Sequence, residues 1–335
     1  MTDMSTDQPK ATSSSATQEE AEWFRTWFNQ ILQNVELVMK GKTNQVALVL
    51  SCIFAEGHLL LEDVPGTGKT TLAKALAASI RGGWSRIQFT PDLLPSDVTG
   101  GMVYDQKAGE FQPHFGPIFS NIVLADEINR ASPKTQSALL EVMEERQVTF
   151  GNATTAVPRP FVVIATQNPV EQQGTYRLPE AQLDRFLMRT SLGYASSAST
   201  LDILRNTAAG VRPEDIEPVV STTDVRKMIS VVDSIHVNDA LLQYIVRLVE
   251  ATRTLPEVQL GASPRGAIAM MKASKAVAAA RARVFVDIDD IKLVANEVLA
   301  HRLLLTPESE FKGVRTSDLV DKVLDTVELP DMGRT

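Results

Sequence analysis

No stretch of this chain narrows its architecture as tightly as residues 57–80. The apolar run Gly57-His58-Leu59-Leu60-Leu61 enters the turn Asp63-Val64-Pro65-Gly66-Thr67-Gly68-Lys69-Thr70, after which Leu72, Ala73, Leu76, Ala77 and Ile80 share one helical face. A buried strand, a glycine-rich turn and an amphipathic helix thus follow one another directly. Gly66 and Gly68 let the backbone wrap so that several N–H groups point inward, and the helix N-terminus adds the positive end of its dipole. Lys69 supplies a mobile ammonium for outer phosphates, and Thr70 is placed to offer its hydroxyl to Mg²⁺. The candidate phosphate cradle comprises Val64, Pro65, Gly66, Thr67, Gly68, Lys69, Thr70 and Thr71. The strict pattern begins with glycine where this chain has Asp63, so the strand before the loop and the helix after it carry the reading.

A chain of 335 residues has the length for about two domains and a sizeable core. Residues 1–18 are rich in Ser, Thr, Gln and Asp and are expected to be a disordered tail. The single cysteine, Cys52, lies in an apolar stretch and reads as core filler, so no disulfide framework exists. The longest apolar stretch, 46–55, is too short to cross a bilayer, and the first twenty residues are not signal-like, which predicts a cytoplasmic protein without membrane insertion. A formal net charge of −8 argues against a dedicated nucleic-acid binder. His58, His114, His236 and His301 lack metal-ligand spacing, so no protein-bound zinc is expected.

Apolar and aromatic periodicity predicts a leading helix over 19–39 and a second over 44–56. A strand is expected at 86–89, a loop with two prolines at 91–101, and a hairpin over 102–111 with Gly109 near its turn. The continuous apolar run 122–125 reads as a buried strand ending in Asp126-Glu127. Ser132-Pro133 supplies an N-cap and first-turn proline for the next helix. A second hairpin spans 147–157 with Gly151-Asn152 at its turn, and another buried strand, 161–166, ends in Gln167-Asn168-Pro169. Strand–helix alternation over 57–192 calls for an α/β fold with a parallel sheet. Beyond 197 the pattern turns helical, with candidates at 225–232, 240–252, 263–280 and 288–304 after a linker over 210–218. The expected division is a nucleotide-binding α/β domain at 19–207 and a helical lid at 208–335.

Nucleotide hydrolysis needs a metal, a positioned water and donors for charge growing on the transferred phosphoryl oxygens. Asp126 and Glu127 stand at the carboxyl end of an apolar strand, where an open α/β sheet presents its ligand crevice. Asp126 is suited to hold Mg²⁺ through its water shell, and Glu127 to orient or deprotonate the attacking water. Asn168 ends its own buried strand and would point its amide at the same crevice. Arg185 lies just past a short helix, and Arg265 follows the cap Ser263-Pro264 in the opening turn of another, where its fork can bend toward a phosphate.

The succession Gly66-Thr67-Gly68-Lys69-Thr70, Gln88-Phe89-Thr90-Pro91-Asp92-Leu93-Leu94-Pro95-Ser96-Asp97, Leu124-Ala125-Asp126-Glu127-Ile128-Asn129-Arg130-Ala131, Ala165-Thr166-Gln167-Asn168-Pro169, Gly174-Thr175-Tyr176, residues 178–186 and Gly261-Ala262-Ser263-Pro264-Arg265 closely resembles the MoxR family of AAA+ ATPases, over about residues 20–305. The resemblance implies five parallel core strands, a helical lid, and a homo-oligomeric ring, commonly a hexamer, with ATP between neighbours. It makes Lys69 and Thr70 the phosphate-loop pair, Asp126 and Glu127 the metal and water pair, and Asn168 the first sensor. Arg265 would be the second sensor on the lid, converging with Lys69, Asp126 and Asn168 on one Mg·ATP, while Arg185 would be the finger reaching a neighbour's nucleotide. It further implies an ATP-driven chaperone that remodels or matures a protein client, often with a partner containing a von Willebrand factor A domain, here a separate chain. Two other readings are a non-hydrolysing ATP-dependent scaffold, disfavoured by the joint presence of Glu127, Asn168 and Arg185, and a DNA motor, disfavoured by the acidic charge.

Overall fold

The computed structural model describes residues 15–107, 109–151, 153–168, 175–210 and 212–330. Most of the expected tail, Asn152 of the second hairpin turn, Pro169 and Gly174 of the quoted motifs, and Val211 of the linker lie outside the described residues. Where composition predicts a tail reaching residue 18, the structure instead buries Ala16, whose amide donates to Ser234 O. Thr17 then caps α1 (Gln18–Glu36): its hydroxyl accepts the Glu20 amide while Glu20 accepts the Thr17 amide.

After α2 (Thr43–Phe54) come β1 (Leu59–Glu62), the phosphate loop and α3 (Lys69–Ser79). β2 (Trp84–Gln88) leads to α4 (Pro95–Thr99), the hairpin of β3 (Gly100–Asp105) and β4 (Glu110–Phe115), and β5 (Ile122–Asp126). α4 stands where a loop is expected, because Pro95 fits a first helical turn and the Asp97 carboxylate accepts the Leu94 amide at 2.8 Å. α5 (Pro133–Glu145), capped by Ser132, precedes the hairpin of β6 (Gln147–Phe150) and β7 (Ala153–Ala156), then β8 (Val162–Gln167), α6 (Glu180–Leu183), β9 (Met188–Thr190) and α7 (Ser197–Ala208). The remainder is helical: α8 (Thr222–Ser234), α9 (Asp239–Thr254), α10 (Pro264–Ala280), α11 (Ile288–Leu299), α12 (Pro307–Phe311) and α13 (Thr316–Thr326). A small antiparallel ribbon joins β10 (Val258–Leu260) to β11 (Leu304–Leu305), and the helix expected to run to 304 stops at Leu299, followed by a 3-10 turn over Ala300–Arg302. Among the described residues no helix is long and apolar enough to cross a membrane.

The main sheet has five parallel strands in the order β2-β5-β8-β1-β9. Alternate residues of its central strands enter two cores. Leu59, Leu61, Ile122, Leu124 and Ile164 join a core shared with α1, α2, α3 and the C-terminal helices, whereas Leu60, Val123, Ala125 and Val163 join one completed by α5. Burial on both faces explains why these strands read as unbroken apolar runs.

Two polar devices fix the ends of β1. At its carboxyl end Asp63, buried in the loop's usual glycine position, accepts the Leu192 and Gly193 amides at 2.7 and 2.9 Å on one oxygen and the Val64 amide at 3.0 Å on the other. Lys42, equally buried, donates to the carbonyls of Leu192, Gly193 and Tyr194. The pair clasps the segment leaving β9 and so anchors the phosphate loop to it. At the other end His58 accepts the Val163 amide on Nδ1 at 3.0 Å and donates from Nε2 to Met143 O at 3.1 Å. Only the neutral ring satisfies both bonds, and burial pushes its pKa down to about 4.

Asp63→Ala orphans the buried Leu192 and Gly193 amides, so urea unfolding should show a loss of about 1–3 kcal/mol; an unchanged midpoint would remove the clasp's role. For His58, the unfolded ring titrates near its ordinary 6.5 while the folded ring stays neutral to about 4. Its stabilisation is therefore full above about pH 6.5 and is lost as pH falls toward 4, amounting to about 3 kcal/mol from a shift of this size. Urea midpoints at pH 7.5 and 5.0 should fall more steeply for the native protein than for His58→Gln, which cannot titrate; equal slopes would refute the buried neutral imidazole.

Candidate active site

β5, β8 and β1 are neighbours about 4.8 Å apart and end on one edge of the sheet. Asp126 closes β5, Asn168 directly follows β8, and the phosphate loop leaves β1, with Glu62 paired to Gln167 across the last register. These sequence-predicted residues are therefore brought together. Gly66 and Gly68 adopt φ values of +85° and +95°, a region that side chains avoid. A Cβ at Gly66 would meet nothing, so backbone conformation rather than space demands glycine there. Lys69 opens α3 and folds back, donating to the Asp63 and Val64 carbonyls at 3.0 Å each, and Thr70 and Thr71 follow in the same turn.

The acidic pair is held on both sides. Asp126 Oδ1 accepts the Thr166 hydroxyl at 2.6 Å, and Oδ2 accepts Arg86 Nη2 at 2.6 Å. Glu127 has a left-handed backbone (φ 56°, ψ 49°), and its Oε2 accepts Gln88 Nε2 at 2.8 Å and Arg130 Nη1 at 2.9 Å. The donor set fits Mg²⁺, a hard cation that takes carboxylate, hydroxyl and water oxygens. A cation, the Arg86 guanidinium, already sits on Asp126 Oδ2, so this position supports positive charge. Phosphates fit the loop for the same reason: Lys69 and the α3 N-terminus stand at its end.

Arg185 and Arg265 lie elsewhere. Arg185 Nε is 3.0 Å from Glu144 Oε2, and Arg265 pairs with the other oxygen of the same carboxylate. Both line a cavity of about 260 Å³ with Gly57, His58, Glu144 and Asp184, at the amino end of β1. The amide of Leu187, just before β9, donates to His58 O, which puts the chain around Arg185 at that same end. Asp184 draws the lid there: it accepts the Ser263 hydroxyl at 2.8 Å and pairs with buried Arg302 at 2.8 Å. Burial lowers the Arg302 pKa and the Asp184 carboxylate opposes that shift. The expectation that Arg265 converges with Lys69, Asp126 and Asn168 is thus corrected. The cap of α10 is tied to Asp184 on the opposite edge, and Arg265 stands beside Arg185.

Sequence reasoning passed over four residues that shape the site. Arg86 and Gln88 alternate on β2, a period that puts both on one face, and Gln88 is in register with Asp126; that signal was available. Thr166 stands inside one of the quoted motifs without a role of its own, and no local pattern singles out Glu144.

Known proteins resemble this chain over most of its length. Residues 58–188 match the model of the ATPase family associated with various cellular activities (AAA), and residues 250–323 match an AAA lid domain. The chain is 49% identical over 299 residues to the uncharacterised protein YeaC of Bacillus subtilis (strain 168), covering 89% of this chain and 93% of that one. It is 41% identical over 308 residues to Chaperone MoxR1 of Mycobacterium tuberculosis, covering 89% and 81%. A crystal structure of a protein from Cytophaga hutchinsonii assigned as an ATPase superposes with a TM-score of 0.88 at 40% identity, covering 93% of this chain and 98% of that one. A parallel core with a phosphate loop and acidic pair on one edge, a helical lid, and likeness across nearly the whole chain establish that this protein belongs to the MoxR family of AAA+ ATPases.

Proposed function

We propose that this ATPase works as a ring-forming chaperone that remodels or matures a protein client. The observation that carries the reading is that the phosphate loop and acidic pair lie on one edge of the sheet and the two arginines, Arg185 and Arg265, on the other. β1 alone, at four residues, separates them by about 13 Å. Arg185 and Arg265 on the amino edge are then placed to serve a neighbour's nucleotide, while the loop, Asp126, Glu127 and Asn168 serve the subunit's own. Contact between two different faces is head-to-tail, and when its rotation closes it makes a ring; the family resemblance favours a hexamer.

In this reading the loop amides and Lys69 bind the ATP phosphates, with Val64, Pro65, Gly66, Thr67, Gly68, Thr70 and Thr71 shaping the cradle. Mg²⁺, held by Thr70 and Asp126, would neutralise phosphate charge. Glu127 takes the proton of the attacking water, and Asn168 orients that water or the terminal phosphate. Arg185 and Arg265 of the adjacent copy donate to the charge that grows on the transferred oxygens. The functional core is taken as residues 19–207 and the lid as 208–335.

The first hairpin supports a protein client. Met102, Tyr104, Phe111 and Phe115 fall on one exposed face of β3 and β4, an apolar and aromatic surface rather than a basic one. A separate von Willebrand factor A domain partner and a cytoplasmic location complete the proposal, both carried by the family resemblance.

Glu127→Gln should keep ATP binding while steady-state phosphate release falls by about 100-fold or more; unchanged turnover would remove Glu127 from its role, and only a native protein that binds ATP without releasing phosphate would leave the scaffold reading standing. Mixing inactive Glu127→Gln subunits with inactive Arg185→Ala subunits should restore turnover, because some interfaces then hold an intact site. Mixing Glu127→Gln with Arg265→Ala should do the same. An Arg265 acting on its own subunit's nucleotide would leave that second mixture inactive.

A further inference from the structure

We infer that Thr166 is the positioning residue that sets both members of the acidic pair through one hydroxyl. The inference rests on the assignment of Asp126 and Glu127 above. β5 and β8 pair in register from Ile122↔Val162 to Ala125↔Ala165, and there the ladder ends. Asp126 still pairs with Gln88 of β2, and just past it the chain turns out of the sheet as Glu127 enters the left-handed region, which residues other than glycine seldom occupy. Leaving the sheet deprives the Glu127 amide of a ladder acceptor. The Thr166 oxygen takes that place, accepting the amide at 2.9 Å.

The same oxygen donates its only proton to Asp126 Oδ1 at 2.6 Å. A hydroxyl has one proton and two lone pairs, so these two bonds fix its rotation. Thr166 is 1% exposed and sits in β8 in register with Leu61 of β1. A β-branched side chain on a buried strand has little χ1 freedom. Oγ1 is therefore a fixed point. It orients the Asp126 carboxylate so that Oδ2 faces away from β8, toward the cationic position, and it stabilises the backbone turn that aims Glu127.

Valine has nearly the shape of threonine and keeps the packing, whereas serine keeps the hydroxyl, so the two variants separate packing from positioning. In nucleotide-free protein, hydrogen exchange at the Glu127 amide should be about tenfold faster in Thr166→Val and unchanged in Thr166→Ser. In turnover assays Thr166→Val should lose about 10–100-fold in kcat and need more Mg²⁺, with KM for ATP little changed and the thermal midpoint lowered by only a few degrees, so that the protein stays folded in the assay, and Thr166→Ser should restore kcat and the Mg²⁺ dependence. Native exchange and kcat in Thr166→Val would overturn the inference, as would equal losses in both variants or a fall in ATP affinity and thermal stability that accounts for the loss. Asp126→Asn and Glu127→Gln run alongside separate the two levels. Active controls refute the assignment of the pair, whereas dead controls beside a normal Thr166→Val refute only this inference.

Discussion

All five strands of the main sheet run the same way, and that single direction divides the molecule into two chemically different edges. Whatever leaves a carboxyl end collects on one side, as the phosphate loop, Asp126 and Asn168 do. Whatever leads into an amino end collects on the other. Arg185 lies in the short segment leading into β9, so its place opposite the loop follows from strand direction. The lid follows it because Ser263 and Arg302 both reach Asp184, next to Arg185 in the chain.

Apolar packing and buried polar contacts do different jobs here. Phe24, Leu50, Leu59, Met270 and Val294 belong to one continuous core that runs from the leading helix through the sheet into the C-terminal helices, so the lid has no separate core. Swinging it away as an independent body would expose that shared core, unlike a domain joined by a polar interface. The buried charges add little net stability, since desolvation offsets their attraction. What they supply is location: Asp184–Arg302 ties the lid cap to one edge, and Asp63 with Lys42 ties the phosphate loop to the segment leaving β9.

Local pattern carried the legible part of the fold. Continuous apolarity marked β5 and β8 because both of their faces are covered, and Ser132-Pro133 and Ser263-Pro264 marked helix starts through cap chemistry that acts within three residues. The cradle and the acidic pair were legible for the same reason, as each is contiguous in sequence. Arg265 was not. Its place depends on Asp184 and Arg302, far apart in the chain, and a family role assigned to a lid arginine does not say which edge the lid meets. The α4 helix was hidden by Pro91 and Pro95, which signal a loop unless Asp97 is seen closing its first turn. Asp63 looked like a defect in the motif until its partners at Leu192 and Gly193 were visible.

The acidic pair owes its character to where it lies across the sheet. On one side stands β8, apolar and buried through most of its length, which offers a single polar atom, the Thr166 hydroxyl, at the point of contact. On the other stands β2, an edge strand, whose exposure lets it carry Arg86 and Gln88 without burying either. A central strand would have to desolvate a guanidinium to place it there, a cost of several kcal/mol. Asp126 and Glu127 therefore sit where a dry half of the sheet meets a wet half. The dry side fixes their backbone and one carboxylate oxygen, and the wet side supplies exposed cationic and amide partners.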